Sequence, residues 1–312
     1  MLKYVLKRLG YILVTLWVIV TCTFFMMKNL PGTPFDAERF SIMTPQQQER
    51  VLEMYGLNDS LPMQYVKYIK NMLKGDLGTS FTYVNQDVSK VITGRLGPSA
   101  LIGIQAVLIG LAIGLILGIL AAWKHNSGID YFTMILAVLG VSVPNFVAAA
   151  LLQYYIGLKW GALPVGFWTG WNCSVLPSIA LSFSATAMVA RFMRTEMLDV
   201  LDQDYIVTAR AKGLSQMKVL VRHAVRNSIL PVVTILGPIV VNLMTGSLAV
   251  ENIFSIPGIG SLFVDCIKAN DYPVIMGITI FYAAFYMLIV LLVDLAYSLI
   301  DPRIRLAKGK ES

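Results

Sequence analysis

The chain has 312 residues, 56% of them hydrophobic and only 14% charged, with a mean hydropathy of +0.68 and a formal net charge of +7. A soluble chain this apolar could not cover its surface with polar side chains, so most of it must face lipid or other buried helices. The basic excess sits at the ends of apolar stretches and forms no stripe interleaved with exposed aromatics, which argues against a nucleic-acid surface.

A bilayer core about 30 Å thick needs roughly 20 apolar residues per helix. Six stretches meet this, approximately 9–30, 98–123, 131–158, 175–195, 229–250 and 274–300. The expected fold is therefore an all-α integral membrane protein with about six transmembrane helices. The first stretch follows Lys3, Lys7 and Arg8, as a signal peptide would. Its apolar run is too long for such a segment and no small-x-small cleavage site follows, so it reads as a retained anchor. The Lys/Arg bias sets the orientation. With the N-terminus inside, Lys3, Lys7, Arg8, Lys124, the basic residues between Arg191 and Arg226, and the tail residues Arg303, Arg305, Lys308 and Lys310 are all cytoplasmic. The two shorter outer loops hold only Lys159 and Lys268. Both termini are expected in the cytoplasm.

Between the first two spans lies a long outer segment, residues 31–95, with its own helical signals. Thr44-Pro45-Gln46-Gln47 offers an N-cap, proline at the first helical position and a capping-box glutamine. Gly56 can stop that helix. A second helix is expected from about Pro62 to Gly75, with Tyr65, Val66, Ile69, Met72 and Leu73 on its apolar face.

Residues for chemistry are scarce. Asp294 is the clearest ionisable group within a span, near its cytoplasmic end, where it can reach the interface or pair with a tail arginine. A transporter driven by an ion gradient needs carboxylates near mid-membrane, and none stands out. His125 and His223 have no serine, cysteine or carboxylate recognisably placed beside them, and HExxH and GxSxG are absent. Cys22, Cys173 and Cys266 lack ligand spacing and read as small apolar side chains. No catalytic or metal-binding set emerges. Gly110, Gly114 and Gly118, with Ala122 at the same spacing, share one face of the second span and would let another helix approach closely. Pro144 interrupts the third span and should kink it.

The cytoplasmic loop between the fourth and fifth spans is the most informative segment. Glu196, Asp199, Asp202 and Asp204 precede a short helix expected from Tyr205 to Lys212, with Gly213 at the left-handed position beyond its end. A second helix follows from about Gln216. Its apolar face reads as Met217, Leu220, Val221 and Ala224, and Lys218, Arg222 and Arg226 make a basic stripe.

This loop resembles the cytoplasmic "EAA" loop of ATP-binding-cassette importer permeases, running from Tyr205-Ile-Val-Thr-Ala-Arg-Ala-Lys-Gly213 to Arg222-His-Ala-Val-Arg-Asn-Ser-Ile-Leu-Pro231. Val207, Thr208 and Ala209 stand where the literal Glu-Ala-Ala would be, and the proline comes later than in the sugar importers. Both departures suit the oligopeptide/dipeptide/nickel branch. Pro31-Gly-Thr-Pro34, Gly75-Asp-Leu-Gly-Thr-Ser-Phe81, Glu251-Asn-Ile-Phe-Ser-Ile-Pro-Gly-Ile-Gly260, Asp271-Tyr-Pro273 and Asp301-Pro-Arg-Ile-Arg305 resemble the same branch, in order along the chain. The large outer segment is similar to that of the first, B-type, permease of such importers.

The resemblance implies the type I importer permease fold. Residues 1–30 would form the first span, 31–95 the outer helical segment, 96–300 a five-span core containing a coupling loop at 196–231, and 301–312 a cytoplasmic tail. It implies half of a pore for oligopeptides, or dipeptides, in a bacterial cytoplasmic membrane, with oligopeptides favoured over dipeptides and both over a nickel chelate. Tyr205, Thr208, Ala209, Arg210, Lys212 and Gly213 would form the coupling loop that docks on an ATPase. The expected partners are a second homologous permease, two ATP-binding subunits, an extracytoplasmic peptide-binding protein and lipid. The chain has no GxxxxGK[ST], so ATP and Mg would be bound by the partner subunits and this chain would hold no cofactor. The alternatives are an ion-gradient-driven secondary transporter and a metal-chelate permease of the same family.

Overall fold

The computed structural model describes residues 2–29, 40, 42–54, 56–83, 86–244 and 248–300. The Pro31–Pro34 motif, Asp301 and the basic tail residues Arg303, Arg305, Lys308 and Lys310 lie outside them, as do the side chains of Lys3 and Asp294. Among the described residues the regular structure is helical, apart from one bridge between Thr79 and Asp87. In chain order the helices are α1 (Leu2–Lys28), α2 (Pro45–Met54), α3 (Leu61–Leu73), α4 (Val88–Trp123), α5 (Gly128–Ser142), α6 (Asn145–Leu152), α7 (Val175–Leu201), α8 (Asp204–Ala211), α9 (Gln216–Lys218), α10 (Arg226–Met244), α11 (Leu248–Ile253), α12 (Ile259–Lys268) and α13 (Tyr272–Ile300). A π-helical stretch, Gln153–Lys159, extends α6, and another, Val219–Val225, joins α9 to α10. Among the described residues, five stretches are long and apolar enough to cross a bilayer: α1, α4, α7, the stretch that begins at α9, and α13. The bent pair α5 and α6 makes a sixth if it counts as one span.

Two compact units divide the chain, Met1–Gly97 with Ile259–Phe285, and Pro98–Gly258 with Tyr286–Ser312. The boundary falls at Pro98 inside α4. Proline at that position reads in sequence as the start of a span, yet the helix begins ten residues earlier in number, at Val88, and runs through it. A proline inside a helix removes one backbone hydrogen bond but does not by itself end the helix when its neighbours hold the axis.

In the first unit, α2 opens with a reciprocal cap. The Thr44 N–H donates to Gln47 Oε1 at 2.9 Å, and the Gln47 N–H reaches Thr44 Oγ1 at 3.4 Å. At its end, Leu57 N–H returns to Leu52 O at 2.8 Å. Helix α3 packs on α1 through aromatic rings: Tyr65 stacks on Phe25 with centroids 5.7 Å apart, and its hydroxyl meets Thr21 Oγ1 at 2.7 Å. These contacts set the rotation of α3, so Val66 and Leu73, placed on the apolar face by sequence, are exposed instead, at 57% and 78%. A second cluster is built from Val88, Ile92, Ile259, Leu262, Val274, Ile275 and Ile278.

In the second unit, α7 is the central element. Leu176, Leu181, Val189, Met193 and Met197 are buried in one cluster with Ile102, Leu220, Leu243 and Phe254. Helices α5 and α6 meet at 101°. Val143 caps α5 in an extended conformation and Pro144 precedes α6, because a residue before proline is pushed away from helical geometry. The sequence reads this as a kink; the structure has a break between two helices.

Candidate functional site

Helix α8 is a short helix standing on its own apolar footing. Ile206 and Ala209, at three-residue spacing, are buried against Val219 from the π-helical stretch, with Val200, Leu201 and Leu214 around them. The turn beyond α8 is closed by two backbone bonds, Gly213 N–H to Arg210 O at 2.9 Å and Leu214 N–H to Ala209 O at 3.4 Å. Gly213 has φ +77°, a backbone conformation cheap only for glycine, so this residue type belongs to the turn. Ser215 Oγ accepts from Lys218 N–H at 3.4 Å and starts α9. Two more contacts tie the loop to the spans. Asn227 Nδ2 donates to Tyr205 Oη at 3.0 Å, and the buried Ser228 Oγ donates to Glu196 O at 3.2 Å.

Of the loop residues singled out in sequence, Tyr205, Thr208, Arg210, Lys212 and Gly213 are exposed and Ala209 is buried. Thr208 Oγ1 bonds back to Asp204 O at 3.0 Å. The surface they form also carries Val207 (58% exposed), Met217 (53%) and Val221 (58%), beside the exposed Lys218, Arg222 and Arg226. The sequence puts Met217 and Val221 on the buried face with Leu220 and Ala224. The structure buries Val219, Leu220 and Ala224. A π-helix holds more residues per turn than an α-helix, so the face read at 3.6 periodicity is shifted. The outcome is a knob, a short helix on a small buried core, with both apolar and basic side chains exposed around it.

Gly110, Gly114 and Gly118 lie against α7. A Cβ at these positions would fall 2.7 Å from Ala185 Cβ, 2.7 Å from Val189 Cβ and 2.6 Å from Ala190 O. Between helices in lipid the hydrophobic effect gives little, and close backbone approach supplies the attraction.

The structure also places carboxylates that sequence reasoning passed over. Asp130 is 2% exposed and is bound by Arg194 through two nitrogens, at 2.5 and 2.8 Å. Glu251, also 2% exposed, accepts from Ser99 Oγ at 2.7 Å. Asp271 is fully buried, takes the Ser80 hydroxyl and the Thr82 N–H (3.0 Å), and caps the first turn of α13 at Val274 N–H. Ser80 and Asp271 belong to two of the quoted motifs, so those motifs converge in space. Each carboxylate is held by donors from this chain, which suits structural posts.

The chain matches the family described as "Binding-protein-dependent transport system inner membrane component" over residues 114–306, and the N-terminal part of such membrane components over residues 1–96. It is 46% identical over 306 residues to the "Dipeptide transport system permease protein DppB" of Lactococcus lactis subsp. cremoris, covering 98% of this chain and 100% of that protein. It is 39% identical over 307 residues to the "Oligopeptide transport system permease protein OppB" of Haemophilus influenzae, covering 98% and 100%. Among solved structures, an amino acid ABC transporter aligns with a TM-score of 0.52 at 20% identity, over 69% of this chain and 94% of that one, a likeness of fold. With a full-length match to relatives of this kind and a helical core of the same fold, the chain belongs to the inner membrane components of binding-protein-dependent transport systems.

Proposed function

We propose that the chain is a permease subunit of an ATP-binding-cassette importer of short peptides, forming half of the translocation path in a bacterial cytoplasmic membrane. Both termini and the α8 knob face the cytoplasm, and the 31–95 segment faces outward. A second homologous permease completes the pore, two ATP-binding subunits carry ATP and Mg, and an extracytoplasmic binding protein delivers the solute.

The observation that carries this reading is the α8 knob: a short helix fixed by its own apolar core and by Gly213, in a chain of this family, with Tyr205, Val207, Thr208 and Arg210 presented to solvent. A helix held that rigidly transmits a push from a docked ATPase into α7 and α10 instead of absorbing it. Relatives at 46% and 43% identity are named for dipeptides and six at 38–39% for oligopeptides, so the proposed solute class is short peptides, dipeptides and oligopeptides together.

The test is reconstitution in proteoliposomes with the four-subunit importer and its binding protein. ATP should drive uptake of labelled peptide, and omission of the ATP-binding subunits should stop it. Accumulation by this chain alone under a proton or sodium gradient would overturn the reading.

A further inference from the structure

A cleft of about 350 Å³ lies wholly within the first unit, among α1, α2, α3, the 76–81 loop and the start of α13. Its volume is in the range of small-ligand sites. Tyr68 lines it, and the Tyr68 hydroxyl is buried with no hydrogen-bond partner. Buried polar groups are almost always paired, and one that is not marks a place where something else supplies the partner. Lys28 lines the same cleft. Its ammonium lies 5.8 Å over the Phe24 ring, against which the Tyr68 ring also packs at 5.9 Å between centroids. No carboxylate pairs with Lys28 among the described residues, whereas Lys67, the other lining cation, is held by Asp59 at 2.6 Å. Asn71 adds a side-chain amide, and Glu53 and Asp76 bring acidic groups.

We propose that this cleft is an oxyanion subsite that takes the terminal carboxylate of a short peptide, with the Lys28 ammonium and the Tyr68 hydroxyl as donors. The proposal rests on the peptide-importer reading and on the 31–95 segment facing outward. A cation without a carboxylate partner and a hydroxyl without a hydrogen-bond partner, lining one cleft, are donors that a carboxylate satisfies. The acidic groups in the same cleft disfavour a phosphate dianion and suit a zwitterion, whose ammonium Glu53 can pair. Burial raises the Tyr68 pKa well above the ordinary tyrosine value, so the hydroxyl remains a donor at every physiological pH.

The experiment uses the four-subunit importer in phosphatidylcholine nanodiscs without its binding protein, and measures equilibrium binding of a labelled dipeptide and of its C-terminal amide. The free acid should bind about tenfold more tightly than the amide, since a charge-assisted contact is lost in the amide. Tyr68→Phe should weaken acid binding about fivefold and amide binding by less, because the carboxylate accepts a charge-assisted bond from that hydroxyl and the amide carbonyl only a neutral one. Lys28→Met should do the same. Tyr68→Phe should also keep or raise the thermal unfolding midpoint of the empty complex, because the hydroxyl it removes has no partner. Equal binding of acid and amide, no detectable acid binding, or an unchanged affinity in Tyr68→Phe would overturn the subsite. Loss of peptide binding in phosphatidylglycerol nanodiscs would assign the cleft to a lipid headgroup and overturn it too. ATP-driven uptake by the same preparation with its binding protein separates the two failures: uptake without acid preference sinks the subsite alone, and absent uptake sinks the importer reading as well.

Discussion

Asp130, in the first turn of α5, and Arg194, in the C-terminal half of α7, form a two-pronged ion pair that also receives the Asn126 N–H at 3.0 Å. The pair joins two spans just ahead of the α8 knob. Removing one partner of such a pair leaves a charge without a counterion, whereas replacing both with apolar groups removes the problem. Asp130→Asn should therefore destabilise the protein by about 3–5 kcal/mol, and Asp130→Leu with Arg194→Met should recover most of the loss. Denaturant unfolding of the assembled importer is the measurement. A double variant as unstable as the single one would show that the contact is not what holds these helices.

The contact of α4 with α7 makes a second prediction. At Gly118 an added Cβ would sit 2.6 Å from the Ala190 carbonyl oxygen, a backbone atom that cannot swing away. Gly118→Ala should cost about 1–3 kcal/mol through forced separation of the helices. Gly10, in α1, has nothing within 4 Å of the same added atom. Gly10→Ala should be neutral, or stabilising by about 0.5–1 kcal/mol from helix propensity. Thermal midpoints of the two variants, measured side by side, decide the matter; equal losses would remove the case for close packing at Gly118.

Local signals were legible in the sequence and distant partners were not. Thr44 and Gln47 announced a cap because both halves of that bond lie within three residues, and Gly213 announced a left-handed turn for the same reason. Length and hydropathy located the apolar stretches, since lipid leaves a helix few alternatives. The face of the second loop helix was misread because period counting assumes an α-helix and Val219–Val225 is π-helical. The apolar stretch beginning near residue 98 marks where hydropathy rises and not where the helix starts at Val88, because Ser89, Lys90, Thr93 and Arg95 make the first turns polar. Ser99–Glu251 and Ser80–Asp271 span 152 and 191 residues, so the burial of those acids arises from tertiary structure that no local pattern encodes.

The Cys266 thiol offers a probe of the first unit that needs no transport assay. It is 1% exposed, and burial together with Asp271 and Asp265 pushes its pKa up to about 12, so the thiolate fraction at pH 8 is about 10⁻⁴. A raised pKa leaves the thiol protonated below that value, and alkylation should become appreciable only as the pH approaches it. In the folded protein Cys266 should resist iodoacetamide at pH 8 and react once denaturant opens the unit. Mass spectrometry of the Cys266 peptide reads this directly, and rapid labelling of the native protein at pH 8 would mean that α12 does not pack as described.

The α8 knob makes the prediction that bears most on coupling, because its residues separate by burial. Ala209 faces inward and Val207 faces out. Ala209→Leu must push apart Ile206 and Val219, and overpacking of this sort costs about 1–3 kcal/mol, so it should loosen the knob and reduce uptake. Gly213→Val puts a β-branched residue at φ +77° for about 1–2 kcal/mol or more, and should act the same way. Val207→Asp touches nothing in that small core. It should leave unfolding midpoints and membrane insertion unchanged and still abolish ATP-driven uptake, since it introduces a charge where an apolar contact with a partner subunit is expected. Pairing uptake with the binding of purified ATP-binding subunits to membranes tells the two cases apart: Val207→Asp should lose the partner, and Ala209→Leu should lose transport with the knob itself destabilised. Full uptake by Val207→Asp would mean that the exposed side of α8 is not the surface that receives the push.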